Sequence, residues 1–467
     1  MNQTSLVIIG AGPGGYTAAL LAARAGIKVT LIDQKVNPGG VCLFSGCIPS
    51  KTLLHMTRLI QEAKKAQSCG ISFNQPRLDI KKIRQTKNDI IAKLTQGLGF
   101  LCKKSNIDFI QGKAAFKNSH QIEIQSMDGS SLSLSFKKAI IATGSEPIDL
   151  PFAPNSPHIL NSLKAINLNN IPESMLVIGG GYIGLELGSV YAGFGSQVTI
   201  VEMQPRLLVN ADRDLVRILE RSLKKSLHQI KTQTKVVNLQ KQDNGIQVTI
   251  ADKRGKQEQH FYEKVLISIG RRPNIQTIRM EQTPIKPCLN GFIPVNETYQ
   301  TIESHIYAIG DVIGPPILAH KASYEARQVV HHLLGQQGDT RKPCIPGVVF
   351  TDPEIAWCGL TEQDAQQQNI DIKISRFPWA ASGRAITLHR PDGLTKIIAD
   401  PASDKILGLG IVGYDAGELI GQGVLAIQMG ATVKDVMNAV QQHPTLSETI
   451  LEAAEHYYGV SPHIFPK

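Results

Sequence analysis

The sequence predicts an α/β fold with two Rossmann-like dinucleotide-binding domains followed by an α+β unit. Three observations predict it. A strand, a G-x-G-x-x-G turn, a helix and a second strand ending in an acid fill residues 6–33. The same pattern returns over residues 175–202. From about Pro346 the glycine-rich pattern stops, and alternating strands and short helices take over.

The first unit opens on Leu6-Val7-Ile8-Ile9, an apolar run of the kind that fills a buried parallel strand. Gly10, Gly12 and Gly15 follow, and Tyr16 to Ala25 has helical character. Such glycines let the backbone approach a pyrophosphate at a helix N-terminus. Asp33 stands 23 residues after Gly10, where a carboxylate can bind ribose hydroxyls.

Next comes Gly39-Gly40-Val41-Cys42-Leu43-Phe44-Ser45-Gly46-Cys47-Ile48-Pro49-Ser50-Lys51. Two cysteines five apart do not stack on one helical face, so their sulfurs meet only across a distorted helix start. The surrounding Gly and Pro residues permit that distortion. A helix N-terminus favours thiolate over thiol. The spacing alone also suits two buried cysteines packing as small hydrophobes. The adjoining nucleotide unit favours a redox-active Cys42–Cys47 disulfide.

Residues 51–104 read as long, polar and largely helical, and Ile107–Phe116 as a strand containing Gly112. Residues 121–136 resemble a small antiparallel insert, and residues 139–144 a further buried strand ending in Ala142-Thr143-Gly144. The second unit contains Gly179, Gly181 and Gly184, with Glu202 again 23 residues after its first glycine. The run ending at Gly270 mirrors the one ending at Gly144, which makes an internal duplication. Two dinucleotide units in one chain suggest electron transfer between two dinucleotides. Glu202 favours NAD over NADP, because a carboxylate repels a 2′-phosphate, although Arg206 lies close in sequence. Asp311, after the apolar run 306–309, suits either a turn or a polyol contact. Near the end, His443-Pro444-Thr445-Leu446-Ser447-Glu448 fits both a T-x-x-E capping box and a His–Glu proton-transfer dyad.

The bulk numbers set limits. A chain of 467 residues suggests about three domains. The net charge is +10, but Lys and Arg are scattered and aromatics are only 5%, which disfavours a nucleic-acid binder. Seven cysteines over this length are no secreted disulfide framework and suit a reducing, cytoplasmic setting. The chain enters a strand at once and has no run of about 20 apolar residues, so neither a leader nor a membrane span is expected.

Together these words resemble the pyridine nucleotide-disulfide oxidoreductase family, and within it the dihydrolipoamide dehydrogenase branch. The resemblance runs from about Leu6 to Glu455. It rests on G-G-x-C-x-x-x-x-G-C-I-P-S-K at 39–51, A-T-G at 142–144 and G-G-G-Y-I-G-L-E at 179–186. It continues with G-R-R-P-N at 270–274, A-I-G-D at 308–311, L-A-H-K-A at 318–322 and H-P-T-L-S-E at 443–448. It implies an FAD-binding domain at 1–147 and an NAD-binding domain at 148–275. A central domain at 276–345 would complete the FAD site, and a C-terminal α+β dimerisation domain would span 346–467.

The resemblance also implies roles. Cys42 would exchange with dihydrolipoamide and Cys47 would face the flavin. His443, held by Glu448 and supplied by the other subunit of a homodimer, would be the base. Lys51 would lie by the flavin and pair with Glu186. Gly10, Gly12, Gly15, Asp33, Gly112, Thr143, Gly144, Ser145, Asp311 and Ala319 would line FAD. Gly179, Gly181, Gly184, Glu202, Val236 and Gly270 would line NAD, with Tyr182 over the flavin until NAD arrives. The implied partner is the acyltransferase component of a 2-oxo acid dehydrogenase complex, with its lipoyl domains. No metal, nucleic acid or membrane is implied. Phe44-Ser45 and Gln441 depart from the family's common Asn and additional His. The rival readings are another NAD(P)H-dependent disulfide reductase of the family and a non-catalytic docking subunit. Glu202 and the lack of any cysteine after Cys358 count against related reductases.

Overall fold

Leu6, Val7, Ile8 and Ile9 are buried, and the strand they complete, Asn2–Ile9, forms the middle of a parallel sheet. The computed structural model describes residues 2–337 and 341–465. The sheet's parallel order is Ile306–Ala308, Ser131–Ile141, Asn2–Ile9, Val29–Asp33 and Asp108–Asn118. The antiparallel stretch 121–136 is no separate insert, and 139–144 is no separate strand. Ser131–Ile141 is continuous: its first half pairs antiparallel with Gln121–Ser126, and residues 134–141 run parallel to Asn2–Ile9. Asp108–Asn118 likewise passes from parallel to antiparallel pairing.

The duplication is visible in the second sheet. Its order is Gln229–Lys231, Gln197–Val201, Ser174–Ile178, Lys264–Ile267 and Ile159–Asn161, all parallel. An antiparallel trio, Lys235–Gln242, Gly245–Ala251 and Gln257–Tyr262, accompanies it. The two copies differ at the fifth strand. In the second sheet it comes from upstream, at 159–161; in the first it comes from far downstream, at 306–308. The chain therefore leaves the first sheet, builds the second and returns. Residues 278–333 accordingly share the first unit's core: Ile278, Met280, Ile285 and Ile293 pack with Ile9 and Ile32. Val329 and Val330 pack with Leu6 and Ala19.

The C-terminal part is an antiparallel sheet in the order Gly347–Val349, Glu354–Gly359, Ile406–Gly413, Leu394–Ala399, Lys373–Pro378. Helices Ala416–Met429 and Glu448–Tyr457 pack on it. The alternating pattern leads to strands at 393–400 and 405–412, where Leu394–Ala399 and Ile406–Gly413 lie; those at 347–349, 354–359 and 373–378 are additional to them. No helix among the described residues is long and apolar enough to cross a membrane.

Two of the contacts that join the units are deeply buried. The helix Cys47–Ala66 crosses the helix Tyr182–Gly193, where a Cβ on Gly193 would lie 2.6 Å from the Thr57 Cβ. Leu53 of the first helix is fully buried in the second unit's core, so Leu53→Ala costs about 2–5 kcal/mol. The other contact is Lys396, fully buried, whose Nζ lies 2.7 Å from Asp212, 2.8 Å from Asp214 and 2.7 Å from Glu362. Those three carboxylates are close enough to hold a metal ion, and the lysine ammonium fills the cation's position. Leaving such a cluster without its cation costs about 3–5 kcal/mol. The helical stretch expected over 51–104 is two helices, Cys47–Ala66 and Ile80–Lys104, parted at Gly70 (φ +83°).

Candidate active site

The site grows from the first glycine turn. A Cβ on Gly10 (φ +98°) would lie 2.3 Å from the Ala142 carbonyl oxygen, and one on Gly15 only 1.8 Å from that of Gly10. These two glycines are required by the packing of strand, turn and helix. Gly12 is different: the nearest atom to its absent Cβ is 3.9 Å away, so the space it leaves faces the N-terminus of helix Pro13–Arg24. That end has no side-chain cap, which leaves its N–H groups to an anion. Asp33 steadies the turn: its Oδ2 accepts from the Ala11 N–H at 2.8 Å and its Oδ1 from Lys35 N–H at 2.9 Å.

A cavity of about 440 Å³ opens here. Gly10, Gly12, Asp33, Gly112, Thr143, Gly144, Ser145, Asp311 and Ala319 line it, Cys42, Cys47 and Lys51 lie along it, and Tyr182 and Glu186 reach in from the second unit. The Thr143 hydroxyl is buried without a hydrogen-bond partner, and a Cβ on Gly144 would meet nothing within 4 Å. An uncapped helix end, an orphaned hydroxyl and unfilled glycine positions fit a bound dinucleotide.

The cysteine segment lies directly on this turn, since a Cβ on Gly40 would lie 2.5 Å from the Gly12 Cα. At Gly46 the backbone leaves helical geometry (φ −134°, ψ −111°), dividing helix Gly40–Ser45 from helix Cys47–Ala66. That break lets the Cys42 and Cys47 thiols hydrogen-bond. The bond from Cys42 and the Lys51 charge, working against burial and Glu186, hold the Cys47 thiol at about 7. The same contact, with burial, pushes the Cys42 thiol well above the ordinary range. Lys51 Nζ lies 3.0 and 2.8 Å from the two Glu186 oxygens and 4.5 Å from the Phe350 ring centre. The Phe350 N–H donates to Glu186 Oε1 at 3.1 Å.

Several supporting residues carried no role in the sequence reading. Arg271 donates from Nε to Ser145 Oγ at 2.7 Å, and Ser145 Oγ in turn hydrogen-bonds to Asp311. The turn bearing Asp311 is held by a buried pair, Lys321–Glu325 at 2.7 Å, whose glutamate also accepts from Gly310 N–H at 2.6 Å. Arg271 and Lys321 stand inside the sequence words at 270–274 and 318–322, which was the available signal.

The second unit repeats the glycine geometry. A Cβ on Gly179 (φ +111°) would lie 2.4 Å from the Ser268 oxygen, and one on Gly184 2.2 Å from the Gly179 oxygen. Gly181, like Gly12, has open space. Glu202 takes the place of Asp33, accepting from Gly180 and Gln204 N–H groups, each at 2.6 Å. Gly270 (φ +140°) ends the turn beside these residues, and Val236 is half-buried on the strand Lys235–Gln242. Arg206 is engaged elsewhere, with Ala211 O, Val209 O and Gln363 Oε1 all at 2.7 Å.

His443 and Glu448 meet each other but not the cysteines. His443 Nδ1 lies 2.9 Å from Glu448 Oε1, and Glu448 Oε2 accepts from Thr445 N–H at 2.7 Å. The Thr445 hydroxyl bonds to Gln442 O instead of capping the helix, so only half of the capping box forms. The His443 side chain is 79% exposed and does not line the cavity.

Residues 4–326 match the pyridine nucleotide-disulphide oxidoreductase family, and residues 345–454 match that family's dimerisation domain. The chain belongs to this family. Among similar proteins is the dihydrolipoyl dehydrogenase of Haemophilus influenzae, 40% identical, with 98% of this chain and 95% of that protein covered. The dihydrolipoyl dehydrogenase of Buchnera aphidicola subsp. Schizaphis graminum is 42% identical, with 98% and 96% covered. Among solved structures, LpdA of Mycobacterium tuberculosis superposes with a TM-score of 0.89 at 27% identity, with 97% and 99% covered. The HOCl-induced flavoprotein disulfide reductase RclA of Escherichia coli, as its Cu(II) complex, gives 0.87 at 28%, with the same coverage. Family membership agrees with the cysteine pair lying against a dinucleotide cavity.

Proposed function

We propose that this chain is a dihydrolipoyl dehydrogenase, oxidising protein-bound dihydrolipoamide to lipoamide with reduction of NAD+. The observation that carries this reading is the Cys42–Cys47 thiol pair, with Cys47 acidified, lining the dinucleotide cavity. The full-length likeness to dihydrolipoyl dehydrogenases supports the substrate.

The residues that would hold FAD are Gly12, Asp33, Thr143, Ser145 and Asp311; those that would hold NAD are Gly181, Glu202, Val236 and Gly270. FAD and NAD supply the two-electron relay from the dithiol to the nicotinamide. The chain's own residues perform the thiol chemistry. His443, oriented by Glu448, takes a proton from a substrate thiol. The substrate thiolate attacks Cys42 of the oxidised pair, a substrate–Cys42 bond forms, and Cys47 leaves as thiolate. The second substrate thiol then attacks the first substrate sulfur and expels Cys42. Substrate ends as the disulfide, and the two electrons reside on Cys42 and Cys47. Lys51, itself held by Glu186, keeps Cys47 anionic.

Because His443 stands outside its own chain's cavity, the dyad acts on a second copy, and the active unit is a homodimer. The match to the family's dimerisation domain supports this. The partner would be the lipoyl-bearing acyltransferase of a 2-oxo acid dehydrogenase complex. A cytoplasmic setting suits the seven cysteines.

Anaerobic titration with dihydrolipoamide, followed by NAD+, tests the reaction. A yellow protein that gains long-wavelength absorbance and then loses it as NADH forms is expected; a flavin spectrum indifferent to dihydrolipoamide rejects the substrate. Subunit mixing tests the shared site. Neither Cys47→Ser nor His443→Gln homodimers should turn over, while mixed dimers regain one intact site. No regain on mixing rejects the crossed dyad.

A further inference from the structure

A second pair of thiols lies in the C-terminal sheet, away from the cavity. Cys358 is 2% exposed in the core of that sheet, and its Sγ sits under helix Ala416–Met429, where a Cβ on Gly423 would lie 3.0 Å from it. Cys344 is half-buried and packs against the same core from the segment leading into the strand Gly347–Val349. That strand pairs antiparallel with Glu354–Gly359, with Gly347 opposite Trp357, which brings the Cys344 segment back alongside Cys358. Both thiols belong to one packed cluster, and Cys344 N–H is fixed by Gln428 Oε1 at 3.0 Å. As with Cys42 and Cys47, one thiol of the pair is more open than the other.

We propose that Cys344 and Cys358 form a second redox-active thiol pair, a modification site that hydrogen peroxide closes to a disulfide. The Cys344 thiolate attacks one peroxide oxygen, the O–O bond breaks, and a Cys344 sulfenic acid and hydroxide result, the hydroxide taking a proton from solvent to become water. The Cys358 thiol then attacks the Cys344 sulfur, the S–O bond breaks, and its proton leaves with the hydroxyl as a second water. Both electrons come from the two sulfurs and both end in water, so the pair is oxidised and peroxide is reduced. The roles follow from position. The open cysteine meets the oxidant, and the buried one resolves it before further oxidation. The electrostatics agree: the contact with Cys358 lowers the Cys344 thiol, while Cys358 is pushed up by that contact and by burial.

The test uses the full-length holoenzyme, treated with peroxide, blocked with an alkylating reagent and digested without reductant. The expected product is a peptide pair joining Cys344 to Cys358, lighter than the two free peptides by two hydrogens and separated by dithiothreitol. In Cys358→Ala the sulfenic acid lacks a resolving thiol, so dimedone labelling of Cys344 rises several-fold over wild type. The mapping reads each pair separately, so it is independent of whether Cys42 and Cys47 turn over lipoamide. Recovery of both residues as alkylated thiols after peroxide overturns the proposal. So does Cys344 sulfinic acid in wild type beside a free Cys358.

Discussion

The two nucleotide units are built on the same turn and end in different places. In each, the first and third glycines are required by backbone contact closer than 2.5 Å, and the middle one faces open space. In each, a carboxylate ties the turn through two backbone N–H groups. What differs is the cover. Over the first turn lie the cysteine segment, the returning strand 306–308 and the Asp311 turn, so the space becomes a partly covered cavity. Over the second, Gly181 and Tyr182 stay exposed. One motif therefore suits a cofactor that stays and a co-substrate that leaves, and the choice is made by what packs on it from elsewhere in the chain.

The largest expected effect separates the copies. Gly15→Ala places a Cβ on the Gly10 carbonyl and should abolish recovery of folded flavoprotein, read as flavin absorbance after purification. Gly184→Ala makes the same clash in the second copy; it should keep the flavin and lower NADH formation by more than about a hundredfold. Equal flavin loss in both would break the comparison. Cys47→Ser should keep the flavin and lower lipoamide turnover by more than about a thousandfold. A smaller effect concerns the charge beside Cys47. Its thiol at about 7 becomes thiolate as pH rises through that value, so alkylation of the reduced enzyme should accelerate there. Lys51→Met removes a stabilising cation, so the acceleration should move to higher pH and the rate at pH 7 should fall. An unmoved profile would leave Lys51 with no part in it. The smallest effect is at the second carboxylate: Glu202→Ala should raise KM for NAD+ about tenfold and narrow the preference over NADP+.

Much of this was legible because it is local. Turn, helix and acid lie within one stretch of chain, and the glycines announce close backbone approach. The cysteine word was equally plain. The misreadings came from pairings set at long range. Ser131–Ile141 reads as two strands because its first half alternates and Lys137-Lys138 separates that half from the apolar Ala139-Ile140-Ile141, yet one strand can face solvent at one end and lie within a parallel sheet at the other. The strands at 347–349 and 354–359 are short and bordered by Pro346 and Pro353, which hid them. Lys396 reads as a surface lysine in any window, and its carboxylates are contributed by two distant segments.

Three parts of the chain converge on the Glu186 carboxylate. The carboxylate itself belongs to the second unit, the ammonium to the cysteine helix, and a backbone N–H to Phe350 of the C-terminal part. The charge balance around the reactive sulfur therefore exists only once all three are docked. A half-assembled chain carries the cysteines without that balance, so completeness of the fold acts as a licence for thiol reactivity. Swapping one module for a relative's would have to preserve this three-way junction before any other surface mattered.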